Sequence, residues 1–386
     1  MQYASKDSSY AGGQNRLSGE LVVLSHLRWT FVWQRPQHLI SRLARNRPTW
    51  FVEEPLPVEG ITEPRLCVED HGDVQRVWLE VPGKAGTHVC FSDPRAAGYE
   101  SLLVDLLGAD AGRMAWLYTP MALPLARALG PDVLVYDVMD DLAAFKGASP
   151  ELLLRQRQTL KRADVVFTGG RSLHRSVASR RPDGTHCFPS GVDPTHYSPA
   201  VEMRKPESRR VAGYVGVIDE RLDLHLVAEM AEALPDWEIR MVGPVVKIDP
   251  TTLPQTGNIT YPGPALYTDL PQVMAGFDVA LMPFAMNEAT RSISPTKTLE
   301  YLAAGLPVVS TRVPDVVSDF GELVDLQDDG AGFAAASRRV ERHCPLSRAA
   351  KAEPLLHWHH WDTIASQMEE LILSCRGNED RGEGIA

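Results

Sequence analysis

Residues 288–311 read EATRSISPTKTLEYLAAGLPVVST, and the reading of this stretch decides the fold. It parses as a loop, a helix and a buried strand. Ser294 suits an N-cap, and Pro295 suits the first helical position, where a missing N–H costs nothing. Leu299, Leu302 and Ala303 recur at helical spacing and give one apolar face. Gly305 ends the helix, Pro307 prevents its resumption, and Val308-Val309 begin a strand. The first turn, with Ser294, Thr296 and Lys297, combines free N–H groups, positive partial charge and an ammonium, which together suit a phosphate. Glu300 follows one turn later on the same face and can accept two hydrogen bonds from a ribose diol. A phosphate end and a diol end, one turn apart, suit a nucleoside diphosphate. An ordinary surface Lys–Glu pair has the same spacing, so the remainder of the chain decides between the two.

The chain has 386 residues, 44% hydrophobic and 23% charged, enough for two or three domains with sizeable cores. Its net charge of -11 argues against nucleic acid as a bulk electrostatic partner. Cys67, Cys90, Cys187, Cys344 and Cys375 are odd in number and scattered, so neither a disulfide framework nor a zinc site is indicated. Without an 18-residue apolar run or a signal peptide, the expected location is cytoplasmic, with peripheral contact at the inner membrane face left open.

Strand and helix patterns alternate along the chain, which predicts parallel sheets covered on both faces. Leu21–Leu24 is a first buried strand. The following loop, Ser25–Trp33, holds His26, Arg28, Trp29 and Trp33, with Arg35 just beyond. Further strands are expected at 50–52, 74–79, 88–91, 114–118, 133–136 and 165–167. Helices are expected at 99–107, 120–129 and 149–162, and Gly169-Gly170 opens another. Asp137, Asp140 and Asp141 lie at a strand end; a cap or a sugar contact is favoured over a metal site there. After a polar linker, a second half repeats the pattern with strands 211–217, 239–242, 258–261 and 279–282, helices 224–233 and 268–274, and a helix 329–343 broken by Pro345. His357, His359 and His360 are spaced poorly for a metal, and no metal ligand set is expected. The expected domains are a disordered leader 1–19, an N-terminal domain 20–201, a linker 202–210, a C-terminal domain 211–356, a cross-over helix 357–375 and a flexible tail 376–386.

The string S-P-x-K-x-x-E-Y-x-A-x-G-x-P-V-V resembles the donor-site segment of retaining nucleotide-sugar glycosyltransferases of the GT-B fold, in glycosyltransferase family 4 (glycosyl transferases group 1). Phe188-Pro-Ser-Gly-Val-Asp193 resembles the segment that closes the N-terminal domain in that family, with Ser190 in place of Asn. The resemblance implies an α/β fold of two Rossmann-like doubly wound domains facing across a cleft, with a last helix crossing back to the N-terminal domain. It implies a donor diphosphate held by Gly216, Arg221 and Lys297, a ribose on Glu300, a base near Gly263, and a donor sugar facing Glu288 and Asn287. Asp140 aligns with a sugar-contacting aspartate, and His26 is the candidate to replace a histidine whose place Met139 takes. The departures are Met139, Val217 in place of an arginine, Ser292 in place of a glutamate, and the absence of a glycine-rich loop after the first strand.

The expected function is therefore metal-independent retaining transfer of a sugar from a nucleoside diphosphate, UDP- or GDP-linked, to a hydroxyl on a glycan, lipid-linked or small-molecule acceptor. No cofactor beyond the donor itself is expected. A GT-B nucleotide-sugar epimerase and a catalytically impaired nucleotide-sugar-binding protein are the alternatives.

Overall fold

The computed structural model describes residues 19–108, 112–140, 149–205, 209–287, 290, 296–340 and 345–379. The calls on Asp141, Glu288, Ser292, Ser294, Pro295 and Cys344 lie outside the described residues.

Two sheets organise the chain. The first comprises β1 (Leu21–Ser25), β2 (Thr49–Glu53), β3 (Leu56–Val58), β4 (Arg65–His71), β5 (Val74–Pro82), β6 (Met114–Leu117), β7 (Val133–Val138), β8 (Val165–Thr168) and β9 (Thr185–Cys187). Their order is β3-β5-β2-β1-β6-β7-β8-β9, with β4 paired antiparallel to β5 and every other pairing parallel. The second comprises β10 (Arg210–Val215), β11 (Trp237–Val242), β12 (Ile259–Gly263), β13 (Val279–Met282), β14 (Val308–Ser310) and β15 (Val324–Leu326), all parallel in the order β12-β11-β10-β13-β14-β15. In each sheet the order reverses beside the first strand, β1 or β10. Ligands in open α/β sheets bind outside the carboxyl ends of the strands at such a reversal.

Helices α1 (Arg35–Leu43), α2 (Tyr99–Leu107), α3 (Leu123–Ala128), α4 (Pro150–Arg162) and α5 (Arg171–Ala178) belong to the first sheet. α6 (Pro194–Tyr197) and α7 (Pro199–Met203) lead to the second, which carries α8 (Leu224–Ala233), α9 (Leu270–Ala275), α10 (Thr296–Ala303), α11 (Pro314–Phe320), α12 (Gly330–Val340) and α13 (Pro345–Trp358). The last helix, α14 (Trp361–Glu379), returns to the first sheet. Its Trp361, Ile364, Ala365, Met368 and Ile372 share one core with Leu21, Val23, Leu39, Ile40 and Phe51. The two passages between the sheets run side by side: Val192 N–H donates to the His359 carbonyl at 2.8 Å, and Trp361 N–H to the Val192 carbonyl at 3.2 Å. Gly191 is required there, since a Cβ would stand 2.7 Å from the Trp361 ring.

Local signals act where expected. The Ser149 hydroxyl accepts from Leu152 N–H and caps α4. Gly305, at φ +67°, stops α10, and Leu306 N–H reaches back to the Tyr301 carbonyl at 2.9 Å. Several expectations are corrected. Residues 88–91 form no strand; of the four only Val89 is buried, so the alternation of a half-buried strand is missing. Asp137 does not end a strand but lies inside β7, fully buried. Pro345 opens α13 rather than only breaking its predecessor, and α14 runs to Glu379, into the stretch expected as tail.

Candidate active site

The sheets face each other across a cleft of about 160 Å³. It is lined from the N-terminal side by Trp33, Arg35, Met139, Asp140 and Ser190, and from the C-terminal side by Tyr214–Val217, Arg221, Thr296, Lys297 and Glu300. A second cavity of about 520 Å³ continues from it past Trp33, Gly243, Pro264 and Tyr267.

The centre of the C-terminal wall is the end of β10. Gly216 follows it at φ +149°, and a Cβ built there would meet Lys297 Cε at 2.1 Å and Nζ at 2.7 Å. The lysine of α10 therefore lies directly against the backbone at the strand end. Gly243, at the end of neighbouring β11, has φ +150°, and its Cβ would strike the Gly216 carbonyl oxygen at 1.8 Å. Two glycines thus let two strand ends and one ammonium converge. Burial lowers the Lys297 pKa, Glu300 opposes that, and Arg221 adds repulsion. Burial raises the Glu300 carboxyl, while Lys297 and the Tyr197 hydroxyl pull it down. Both charges are thus held at some cost on the wall of the cleft. That is the environment in which a bound anion and a diol gain most.

Arg221 is placed by its neighbour. Its Nε and Nη2 meet Asp219 at 3.0 and 2.8 Å, leaving Nη1. Burial works against its charge, but the bonds to Asp219 and the field of Asp140 more than offset this and hold its pKa above the ordinary arginine value. Asp140 thus reaches the same cleft from the other domain, and its field also acts on His26. Burial pushes the His26 imidazole down against the pull of Glu54 and Asp140, and its buried Nδ1 has no hydrogen-bond partner among the described residues.

Not every expected residue joins this group. Asn287 is exposed. Its Oδ1 accepts from Thr290 N–H and its Nδ2 donates to the Glu220 carbonyl, so it pins a loop. Gly263, at φ +89°, lines a neighbouring crevice with Lys205, Arg240 and Val242; Pro264 and Ala265 line both spaces. Asp137 is committed to Arg35 by two bonds, Nε–Oδ2 at 2.9 Å and Nη2–Oδ1 at 3.0 Å, while Arg35 Nη1 holds the Phe188 carbonyl at 2.9 Å. It is a structural pair. His359 Nδ1 lies 3.1 Å from the Ser190 carbonyl, and among the described residues no metal-ligating cluster forms.

Sequence reasoning missed three contributors. Gly243 ends Met-Val-Gly just as Gly216 ends Tyr-Val-Gly, a repeat that was there to be read. Asp219, two residues before Arg221, also had a signal, because an Asp-x-Arg turn favours self-pairing. The third is an aromatic group across the cleft: Trp33 stacks on Tyr267 at 5.5 Å, Tyr267 on His196 at 3.9 Å, and His38 on Trp361 at 4.9 Å. No local pattern announces it. A further contact between the domains is made by Asp315 of α11, whose carboxylate accepts from the Ser172 N–H at 3.0 Å and hydroxyl at 2.5 Å at the start of α5.

Fold and cleft together define a protein of the GT-B class, two Rossmann-like domains with a site between them. Residues 209–342 match the family model described as glycosyl transferases group 1. Over 236 residues the chain is 30% identical to the putative teichuronic acid biosynthesis glycosyltransferase TuaH of Bacillus subtilis (strain 168). The match spans 55% of this chain and 59% of that protein. Among solved structures, a sucrose-phosphate synthase from Thermosynechococcus elongatus superposes with TM-score 0.67 at 15% identity, covering 92% of this chain and 98% of its own. HepE of Anabaena, in complex with UDP and glucose, gives 0.66 at 15%, with 92% and 100% covered. An α,α-trehalose 6-phosphate synthase from Burkholderia multivorans gives 0.64 at 16%, with 96% and 99% covered.

Proposed function

We propose that the chain is a retaining glycosyltransferase that moves a sugar from a nucleoside diphosphate, UDP in the first instance, to a hydroxyl acceptor. The observation that carries this is the placement of Lys297 and Glu300 one turn apart on α10, both half-buried and both lining the cleft at the β10 end. Lys297 and Arg221 take the diphosphate, and Glu300 takes the ribose. As the glycosidic bond breaks, charge grows on the departing diphosphate, and fixed cations with a helix N-terminus stabilise it. No divalent metal is needed for that step. Asp140 and His26, on the opposite wall, are the groups for the donor sugar and the acceptor. The UDP choice is supported by the structural neighbour solved with UDP and glucose, and a GDP-linked donor is the next to try.

The test is product analysis with purified protein and a panel of nucleotide sugars, with and without hydroxyl acceptors. Transfer with the anomeric configuration of the donor preserved supports the reading. Epimerised donor without any acceptor assigns the site to an epimerase, and donor binding without turnover assigns it to a binding protein.

A further inference from the structure

Against a chain of net charge -11, residues 150–181 hold eight arginines and lysines and only two acidic residues, Glu151 and Asp164. This segment is +6 and the remainder is -17. It forms α4, β8 and α5. Because β7, β8 and β9 are neighbours taken in order, right-handed crossovers place both helices on one face of the sheet. Arg181 Nη1 donates to the Leu160 carbonyl at 2.6 Å and Arg180 Nη1 to Gln156 at 3.4 Å, which fastens α5 against α4.

The outward surface of this pair carries Arg157, Lys161, Arg162, Arg175 and Arg180, all exposed. Two neighbours are neutralised, Arg155 by Glu151 at 3.5 Å and Arg171 by Asp319 at 2.6 Å, whereas among the described residues these five meet no carboxylate. Like charges gathered on one face repel one another, and among the described residues no carboxylate pairs with them. The same face carries Leu153 and Leu154, 42% and 45% exposed. They sit in the first turns of α4, which starts on the cleft side of the sheet, beyond the carboxyl end of β7. Cations beside exposed leucines form the pattern of an element that lies in a membrane interface. A nucleic acid would use the cations but not the exposed leucines. An anionic lipid surface uses both.

We propose that the outer face of α4 and α5 docks on an anionic lipid surface, with Leu153 and Leu154 entering the headgroup layer and the five cations facing the lipid phosphates. Docking does not depend on the transferase reading. Taken with that reading, it brings the rim of the cleft to the bilayer, where a lipid-borne acceptor presents its hydroxyl.

Co-sedimentation of the full chain with phosphatidylcholine vesicles, with and without one third phosphatidylglycerol, tests this at low and high salt. Each cation near such a surface contributes about fivefold to partitioning, so an Arg157→Glu, Lys161→Glu, Arg162→Glu variant loses on the order of 10²-fold or more. Leu153→Asp with Leu154→Asp weakens binding separately, by about tenfold or more, because buried CH₂ groups supply the apolar part. High salt abolishes binding. All these positions are exposed, so thermal unfolding and nucleotide-dependent stabilisation in solution stay at wild-type values, and that stabilisation reports on the donor site independently. Equal binding to neutral and anionic vesicles, no binding to either, a triple variant that binds like wild type, or RNA displacing the protein from anionic vesicles would each overturn the proposal.

Discussion

Gly216→Ala perturbs the point where strand, glycine and lysine converge. The new methyl carbon would stand 2.1 Å from Lys297 Cε and 2.8 Å from the Tyr214 hydroxyl. Carbon atoms rest about 3.5–4.0 Å apart, so the lysine end must retreat by about 1.5 Å or more. Because that end is flexible, it moves before the β10 backbone does. At φ +149° an alanine also adds strain, about 1–3 kcal/mol for a conformation that only glycine adopts readily. A misplacement of about 1 Å in a group that meets developing charge costs on the order of 10²-fold in rate. The assay is donor turnover alongside thermal unfolding for Gly216→Ala, Lys297→Ala and the double variant. Turnover is expected to fall about 10²-fold in a folded protein, and the double variant is expected to be little worse than Lys297→Ala, because both act through one ammonium. Wild-type turnover in folded Gly216→Ala, or losses that multiply fully in the double variant, would refute this reasoning.

Glu300→Gln is expected mainly to raise the donor KM, since a ribose diol does not change during reaction and an amide keeps an acceptor but loses the charge-assisted bonds; steady-state kinetics checks the split. Transfer is expected to persist in excess chelator, and activity that vanishes there and returns with manganese or magnesium would move Asp140 into a metal role. Burial, with Arg42 and His196 adding repulsion, pushes the His38 pKa down to about 3, and the Trp33 indole N–H donates to its bare Nδ1 at 3.3 Å. A folded pKa below the unfolded value of about 6.5 means that the unfolded chain takes the proton first, so stability is lost as pH falls below about 6.5 and continues to fall toward 3. The loss at pH 5 is about 2 kcal/mol. His38→Phe, which keeps the stack on Trp361, should shed that share of the pH dependence in urea unfolding at pH 7 and pH 5.

What the sequence disclosed follows range. The caps at Ser149 and Gly305 are set within four residues, and the run that buries β10 is set by its own apolar residues; both were legible. The doubly wound order followed from alternation plus the handedness of crossovers. β4 was not legible, because its side chains are mostly solvated and, among the described residues, it pairs only with β5. The Arg35–Asp137 pair spans 102 residues, so the acidic run that begins at Asp137 looked like a free cluster until the fold consumed its first member. Asn287 was placed by analogy with a sugar-facing position, and the structure adds the loop contacts of its amide to Thr290 and Glu220. Val217 in place of an arginine left Arg221 as the remaining cation, and the structure shows Asp219 restraining it, as the Asp-x-Arg spacing favours.

The central claim is that α10 holds the nucleoside diphosphate, and titration calorimetry of UDP and GDP into wild type and Lys297→Ala tests it most directly. Wild type should bind one of the two, and a folded Lys297→Ala should bind it at least about tenfold more weakly, as expected when one charge-assisted phosphate contact is removed. Equal affinity in the two proteins would place the diphosphate elsewhere and contradict the account.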